Sequence, residues 1–277
     1  IVGGEFRGTI SGGGALQPHV DEFFNFIGIP VLEGYGMTET SPVLAVRTWD
    51  NLVIGTVGAL YPHTQVRIVD LQTGAVLYPD TARRGGGRGL RGEIHVKGPQ
   101  VMSGYYKSPD ATARVLSDGW MNTGDIGMVT FNDCLKILGR SKDTIVLLNG
   151  ENIEPLPIEA RLLESSYIDQ CMVVGQDQKS LGVLIVPSLD HLRGAGVEAK
   201  SLAEISLSAK ARQLVEEDIR NLINHSAGFK TFERITSFRL VTKTFDVGDE
   251  MTNTFKLKRH VITDRYAHLI AEMFHQA

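Results

Sequence analysis

The sequence has few cysteines, no long apolar run and no excess of positive charge, and each absence excludes a class of protein. Its two cysteines, Cys134 and Cys171, lie far apart without the spacing of a metal site, which predicts reduced thiols in a core or strand of a cytoplasmic protein. No apolar run approaches the roughly 20 residues that cross a bilayer, so we expect no transmembrane segment, while peripheral membrane contact stays open. The formal net charge of −4 argues against nucleic acid as the main partner.

The composition is that of an average soluble protein. The 277 residues are 42% hydrophobic and 22% charged, and this length predicts about two domains. A chain of this size can bury a core without disulfides. The sequence begins Ile1-Val2-Gly3-Gly4, with neither an initiator methionine nor a signal-peptide pattern, so we expect it to be the inside of a longer chain.

Two kinds of sheet are predicted before residue 140. Residues 6–10 and 29–32 are typical of strands, and between them lie a glycine loop and a helix that begins at Pro18, which together make one parallel α/β unit. Val20, Phe23, Phe24 and Ile27 form one apolar stripe on that helix. Short alternating runs between residues 66 and 138 predict antiparallel strands in a small barrel-like subdomain.

The pattern after residue 140 predicts a separate small α+β domain. Helices are expected near residues 158–165 and 209–224, and strands at residues 171–174 and 183–186. A last amphipathic helix would carry Ile262, Tyr266 and Met273 on one face. The predicted domains are therefore residues 1–140 and residues 141–277.

Residues 34–40, Gly-Tyr-Gly-Met-Thr-Glu-Thr, follow the second predicted strand. They place an aromatic ring at Tyr35, a hydroxyl at Thr38 and a carboxylate at Glu39 beside two glycines. A nucleoside triphosphate needs a flat surface, phosphate donors and a carboxylate for Mg²⁺. A polar turn that leaves a sheet explains the same residues equally well.

Four further segments carry polar or basic residues. In residues 120–125, Gly124 bends the chain beside Asp125, which either caps a turn or accepts both hydroxyls of a ribose. Residues 139–143 are either a solvated linker or a hinge, with Arg140 able to reach a sugar or phosphate. Residues 104–109 are explained by a turn and a helix start, with Ser108 as the cap.

The fourth segment is residues 252–259 near the end of the chain. If this segment is extended, Lys256 and Lys258 share one face, and Phe255 and Leu257 share the other. That arrangement would anchor two amines over whatever lies opposite. A solvated basic turn before the last helix is the alternative.

The order of these motifs resembles that of the adenylate-forming acyl-CoA synthetases, specifically the long-chain fatty acid ligases. The resemblance runs from about Thr9 to Ile262 and includes the glycine loop, Tyr-Gly-x-Thr-Glu, Thr-Gly-Asp, Gly-Arg-x-Lys-Asp and a terminal lysine. It implies an AMP-forming acid–thiol ligase. Such an enzyme joins a fatty acid to ATP as an acyl-adenylate, with Mg²⁺, and then transfers the acyl group to coenzyme A.

The resemblance also implies a role for individual residues. Lys256, Thr38 and Glu39 would act in adenylation, with Glu39 holding Mg²⁺ and Lys142 at a hinge. The ATP or AMP site implied by the resemblance comprises Gly12, Gly13, Gly14, Ala15, Tyr35, Gly36, Thr38, Asp125 and Arg140. The glycine loop and Tyr35 would flank the adenine, while Asp125 accepts the ribose hydroxyls with help from Arg140. Residues 141–277 would be a mobile lid on the C-terminal part of a large adenylate-binding domain.

This sequence departs from the family pattern in two places. Asn253 stands where the family often has proline, and nothing here matches the Ser/Thr- and Gly-rich phosphate loop that lies upstream in the family. The chain therefore resembles only the C-terminal half of such an enzyme, is expected to be inactive alone, and would need the missing half or a partner chain. A homodimer, a non-catalytic nucleotide-binding or assembly module, and an adenylation domain that loads a carrier protein stay open as alternatives.

Overall fold

The computed structural model describes residues 3–274, and the chain divides into two units between Lys142 and Asp143. The first sheet of the first unit has the order β1-β2-β3-β4. Its elements, with the helix that joins the first two strands, are β1 (Thr9–Ser11), α1 (Pro18–Phe26), β2 (Val31–Gly36), β3 (Val43–Val46) and β4 (Ala59–Leu60). Strands β1 and β2 are parallel and the other pairs are antiparallel, which confirms the predicted parallel α/β unit.

Helix α1 begins and ends where its sequence requires. Pro18 occupies the first turn, where its missing N–H has no intrahelical partner to lose. Gly28 takes a φ of 79°, and the amides of Gly28 and Ile29 donate to the carbonyls of Asn25 and Phe24, which closes the helix in a Schellman motif. The predicted apolar stripe on α1 is largely exposed to solvent, since Phe23 is 57% exposed and Ile27 is 47% exposed.

The second sheet of the first unit is antiparallel and curled into a half-barrel, as predicted. Its strands, with the helix that lies between them, are β5 (Gln65–Val69), β6 (Val76–Tyr78), β7 (Gly92–Lys97), α2 (Pro109–Val115), β8 (Leu116–Ser117), β9 (Trp120–Val129) and β10 (Leu135–Arg140). Alternate residues point into the core, among them Val66 and Ile68 of β5 and Ile94 and Val96 of β7. This period of two is the alternation seen in the sequence.

The second unit is built on the three-stranded sheet β13-β14-β15, with helices on both faces. Its elements in chain order are β11 (Ile145–Val146), β12 (Asn152–Ile153), α3 (Pro155–Leu162), β13 (Ile168–Val174), β14 (Leu181–Pro187), α4 (Leu189–Gly194), α5 (Leu202–Leu207), α6 (Ala209–Leu222), β15 (Ile235–Leu240), α7 (Arg259–Arg265) and α8 (Ala267–Phe274). Strand β14 is antiparallel to β13, parallel to β15 and buried along its whole length. Burial on both faces explains its unbroken apolar sequence.

Several predicted boundaries differ from the observed ones. Helix α3 begins three residues earlier than predicted, because Pro155 lies in its first turn. The last helix is interrupted at Tyr266 and forms α7 and α8, although Ile262, Tyr266 and Met273 are buried together as expected. Cys134 and Cys171 are both buried free thiols, and no helix among residues 3–274 is long and apolar enough to span a membrane.

Candidate functional site

The glycine loop, residues 12–15, follows β1 and is exposed to solvent. Gly13 has a φ of 82°, in the left-handed region that favours glycine. A side chain added at Gly12 would lie 3.5 Å from the carbonyl oxygen of Gly34, so the loop passes close to β2. The Leu16 amide donates to Glu33 Oε1 at 3.4 Å and ties the end of the loop to the same strand. The loop therefore exposes its backbone to solvent beside β2.

Three of the predicted site residues meet in one group. The Tyr35 hydroxyl donates to Asp125 Oδ2 at 2.6 Å, and Arg140 Nε lies 3.1 Å from Asp125 Oδ1. Asp125 is buried, with 5% of its surface exposed, whereas the Arg140 side chain is 45% exposed. Burial and the neighbouring Asp125 carboxylate both raise the pKa of Tyr35, so its hydroxyl keeps its proton and remains a donor. We call these residues the Asp125 group.

A bulge in β9 directs the Asp125 side chain toward Tyr35 and Arg140. Gly124 has a φ of 69°, and its amide donates to Asn122 Oδ1 at 2.7 Å. The Thr123 hydroxyl accepts from the Asp125 amide at 3.1 Å and donates to the Ile94 carbonyl at 2.8 Å. Both neighbours of Gly124 are thus held by short side-chain bonds. The predicted bend at Gly124 is a built feature of the strand.

Glu93 supports the bulge from the neighbouring strand. Its Oε2 accepts from Asn122 Nδ2 at 2.7 Å and lies 3.2 Å from His95 Nε2. Arg67 Nη2 donates to His95 Nδ1 at 3.2 Å, which leaves Nε2 to donate to Glu93. The His95 hydrogen bond holds the pKa of Glu93 below its ordinary value, against the effect of burial. A chain of polar contacts therefore runs from Arg67 to the Gly124 bulge.

Glu39 lies in a single 3₁₀ turn, Thr38–Thr40, directly after β2. Its Oε1 accepts from the Tyr105 hydroxyl at 2.9 Å, and its carbonyl accepts from the Met102 amide at 2.8 Å. This hydrogen bond to Glu39 raises the pKa of Tyr105. Thr38 is exposed, while Thr40 is buried. The turn thus fixes a carboxylate and presents a hydroxyl beside it.

A cavity of about 200 Å³ opens beside these residues. Its walls contain two carboxylates, and the lining residues are Met37, Glu39, Glu93, Tyr105, Val115, Met121, Asn122, Thr123, Gly124 and Ser141. The cavity joins the Glu39 turn to the Gly124 bulge, two segments that are about 85 residues apart in the sequence. The structure therefore brings together the Tyr-Gly-x-Thr-Glu and Thr-Gly-Asp motifs.

A buried ion cluster holds the first sheet behind the glycine loop. Arg47, 1% exposed, donates to both carboxylate oxygens of Asp21 at 2.8 Å and to Glu33 Oε2 at 2.9 Å. Arg47 Nε also donates to the Thr56 carbonyl at 2.6 Å. Burial raises the pKa of Glu33, and the Arg47 charge opposes that rise. We call these residues the Arg47 cluster; it joins α1 and β2 to the residue that directly follows β3.

Lys142 lies in the 3₁₀ turn Ser141–Asp143 and is exposed. The Ser141 hydroxyl donates to the Gly124 carbonyl at 3.2 Å, so the turn is tied to the β9 bulge on its first-unit side. The chain passes from the first unit to the second immediately after Lys142.

Lys256 lies directly after the turn of a tight hairpin in the second unit. The sequence left open an extended segment or a basic turn here, and the structure has the turn: Phe255 takes a φ of 59° and its amide donates to the Thr252 carbonyl. Phe255 is 73% exposed and anchors nothing, whereas Leu257 packs against the core of this unit. The Lys256 side chain is exposed, and the Lys258 amine donates to the Gly248 carbonyl at 3.1 Å. The two lysines therefore have different environments.

The sequence alone missed Tyr105, Glu93 and the Arg47 cluster. Tyr105 lies in the segment interpreted as a plain turn, where Ser108 does occupy the cap position of α2 but makes no capping bond with its side chain. Thr112 stabilises the turn instead, because its hydroxyl accepts from the Tyr105 amide and donates to the Ser108 carbonyl. Glu33 carried a signal, since a carboxylate inside a buried strand requires a partner.

Known proteins resemble this chain over nearly its whole length. Residues 2–106 match the AMP-binding enzyme family, and residues 142–277 match the AMP-binding enzyme C-terminal domain. The chain is 36% identical to the chloroplastic long-chain-fatty-acid–[acyl-carrier-protein] ligase AEE15 of Arabidopsis thaliana, with 97% of this chain and 36% of that protein covered. It is 31% identical to the long-chain-fatty-acid–CoA ligase FadD15 of Mycobacterium bovis, with 99% and 43% covered.

A solved structure has the same fold. The adenylation domain of the carboxylate reductase from Mycobacterium chelonae superposes with a TM-score of 0.75 at 24% identity, covering 96% of this chain and 38% of that chain. The chain spans well under half the length of the relatives it matches. The two family matches lie in the order expected of one enzyme and, with the shared fold, they lead to one conclusion: this chain belongs to the family of adenylate-forming, AMP-binding enzymes.

Proposed function

We propose that these residues form the C-terminal part of an AMP-forming ligase that activates a long-chain fatty acid and transfers it to coenzyme A. The observation that carries the proposal is the Asp125 group, in which a buried carboxylate is held by Tyr35 at 2.6 Å and Arg140 at 3.1 Å. A buried carboxylate in a fixed orientation suits the two hydroxyls of a ribose. The matched relatives named for fatty acid ligation support the substrate class.

The first-unit residues would bind the nucleotide. The exposed backbone of Gly12, Gly13, Gly14 and Ala15, with Tyr35 and Gly36 on the adjacent strand, would enclose the adenine. Thr38 would donate to the α-phosphate from the turn after β2. Asp125 would accept the ribose hydroxyls with Arg140 beside it. Each of these groups lies in the first unit.

The residues present fit a magnesium ion bound mainly by its substrate. Among residues 3–274 no three His, Cys, Asp or Glu side chains lie together as a metal site. Glu39 supplies one carboxylate, which Tyr105 orients, and Mg²⁺ is commonly held by one or two carboxylates with phosphates and water. Bound Mg²⁺ would neutralise charge on the phosphates. The role of this chain is to hold the Glu39 carboxylate in place.

The second unit, as a lid on residues 1–140, would supply Lys256. In the proposed first step a fatty acid oxygen attacks the α-phosphorus of ATP and the bond to pyrophosphate breaks. The Lys256 ammonium would stabilise the charge that develops on the phosphate oxygens. In the second step the thiol of coenzyme A attacks the acyl carbon, loses its proton and expels AMP. Lys142 would be the hinge at which the second unit turns between the two steps. A cytoplasmic location stays a prediction.

Pyrophosphate release tests the proposal. The full-length protein that carries these residues should release pyrophosphate from ATP in the presence of a long-chain fatty acid and magnesium. Coenzyme A should then convert the bound product to a thioester and AMP. No release with the intact, folded protein would contradict the proposal.

A carrier protein is the second candidate acceptor, because one matched relative is named as an acyl-carrier-protein ligase. Adding coenzyme A or a phosphopantetheine-loaded carrier protein after adenylation, and comparing the rates of acyl transfer, would distinguish the two acceptors. Faster transfer to the carrier protein would favour it. A purely binding module would take up AMP in calorimetry and release no pyrophosphate with any acid.

A further inference from the structure

The hairpin that carries Lys256 is fixed through its backbone. The Thr252 amide donates to the Lys256 carbonyl at 2.9 Å, and the Lys256 amide donates to the Thr252 hydroxyl at 3.1 Å. Below the tip, Met251 and Leu257 pair as an antiparallel bridge and pack against the core of the second unit. The backbone at Lys256 is therefore ordered, although the side chain is exposed.

Glu250 lies at the base of this hairpin with no exposed surface. Its carbonyl accepts from the Lys258 amide at 2.8 Å, directly across the hairpin. Its carboxylate accepts from the Asp246 amide at 3.1 Å, binds Arg265 of α7 and lies 3.5 Å from the Lys243 amine. One residue thus joins the hairpin to the preceding loop and to the helix that follows.

Stability alone does not account for this carboxylate. A buried carboxylate loses hydration, and apolar groups of similar volume often stabilise a fold as well as a buried ion pair does. Met251 and Leu257 already bury the apolar side of the hairpin. Burial by itself would raise the pKa of Glu250, but the Asp246 amide and Arg265 outweigh it and hold the pKa below its ordinary value. What the carboxylate adds is a fixed set of directional contacts at the base of the hairpin.

We propose that Glu250 is a positioning residue that holds the 251–257 hairpin so that Lys256 is presented in one place for adenylation. This inference rests on the proposed role of Lys256. Glu250 acts through the backbone of the hairpin and touches no substrate. Its loss therefore affects the step that uses Lys256 and spares the step that does not.

The matched pair Glu250→Gln and Asp249→Asn tests this role in the full-length protein. Both variants remove one negative charge that binds Arg265, but the Glu250 carboxylate is buried and also accepts from the Asp246 amide, whereas the Asp249 side chain is 45% exposed. We expect Glu250→Gln to slow adenylation, measured as pyrophosphate release, about tenfold or more, since a 1 Å misplacement can cost roughly a hundredfold. Thioester formation from supplied acyl-adenylate and coenzyme A should stay within about twofold. Asp249→Asn should leave both steps near the wild-type rates.

Hydrogen exchange gives a readout that does not depend on catalysis. In Glu250→Gln the amides of Thr252, Lys256 and Lys258 should exchange faster, while those of the central strand β14 keep their protection. Equal losses in both half-reactions, or a wild-type rate with unchanged hairpin exchange, would overturn the inference and leave the proposed function standing. A wild-type protein that releases no pyrophosphate would overturn the proposed function, and with it the part assigned to Glu250.

Discussion

Asp125 in the first unit and Lys256 in the second are held in different ways. Asp125 is buried, and its two carboxylate oxygens contact Tyr35 and Arg140 directly. Lys256 is exposed, and its contacts within residues 3–274 run through its backbone to Thr252. Under the proposed function, Asp125 would bind the ribose in both steps and can be fixed by its side chain. Lys256 would be needed in one step only, which suits a fixed backbone with an exposed amine.

The largest expected effect comes from breaking the support on the first-unit side. Arg47→Met would leave Asp21 and Glu33, which are 2% and 8% exposed, without their cation. Removing one partner of a buried ion pair typically costs about 3–5 kcal/mol of unfolding free energy. Both tryptophans, Trp49 and Trp120, lie in the first unit, so their fluorescence during urea unfolding measures this loss.

Arg83→Met is the matched control for that experiment. Arg83 also binds an aspartate, Asp80, but its side chain is 53% exposed. Exposed pairs contribute little, so the urea midpoint should stay near that of the wild type. Equal shifts for the two arginines would show that the Arg47 cluster does not support the first unit.

In the second unit, we expect a substitution at Lys256 to change the rate of adenylation and to leave the free energy of unfolding unchanged. Lys256→Ala should slow pyrophosphate release by about a hundred- to a thousandfold, the usual loss when one donor to a developing negative charge is removed. The unfolding midpoint should not move, because the side chain is exposed. Thioester formation from supplied acyl-adenylate should be nearly unaffected.

Lys258→Ala separates this chemical role from the general charge of the hairpin. The Lys258 amine donates to the Gly248 carbonyl, so it already has a hydrogen-bond acceptor within the second unit. We expect a far smaller loss of pyrophosphate release than with Lys256→Ala. Similar losses for both lysines would mean that the two amines act together, as an extended segment would have allowed.

Tyr35→Phe sharpens the comparison at Asp125. The ring that would contact adenine is kept, and only the 2.6 Å hydrogen bond to Asp125 is lost. A hydrogen bond to a charged group is worth about 1.5–3 kcal/mol, so the Kd of AMP or the KM for ATP should rise about tenfold or more. Tyr61→Phe, at an exposed position in the same unit, should change neither. An unchanged or tighter nucleotide affinity in Tyr35→Phe would contradict the positioning of Asp125 by this hydroxyl.

Local features of the fold could be predicted from the sequence because neighbouring residues decide them. The alternation in β5 and β7, the start of α1 at Pro18 and the bend at Gly124 were all predicted. The order of the motifs also predicted the family. That order could not say whether Tyr35 faces Asp125, since the two lie 90 residues apart and meet only when the two sheets pack.

The remaining features depend on tertiary contacts or on a single backbone angle. The Arg47 cluster combines Asp21 of α1, Glu33 of β2 and Arg47 directly after β3, and nothing within any one segment indicates the partners. The residues Phe255 to Lys258 alternate like a strand, but Phe255 adopts a left-handed φ that turns the chain. A phenylalanine rarely takes that conformation, so the alternation alone could not show that the segment turns.

The smallest expected effect is a difference in pH dependence, which tests whether the Tyr35 hydroxyl is buried as a donor. Burial and Asp125 raise the pKa of Tyr35 above its ordinary value near 10. Between the unfolded and folded pKa values the native chain retains a proton that the unfolded chain has lost. The unfolding free energy therefore falls as the pH rises above about 10, by about 1.4 kcal/mol per unit, and this contribution is present in full below that pH.

Tyr35→Phe removes this dependence and leaves the other tyrosines unchanged. We expect the difference in unfolding free energy between wild type and Tyr35→Phe to be constant from pH 8 to about 9.5 and to fall steadily above pH 10. Urea unfolding followed by tryptophan fluorescence would measure it in the first unit. Tyr61→Phe, at an exposed position in the same unit, is the matched control for the loss of a tyrosine hydroxyl. A constant difference up to pH 11 would mean that Tyr35 ionises as it does in water, and the hydroxyl could not then hold Asp125 as a buried donor.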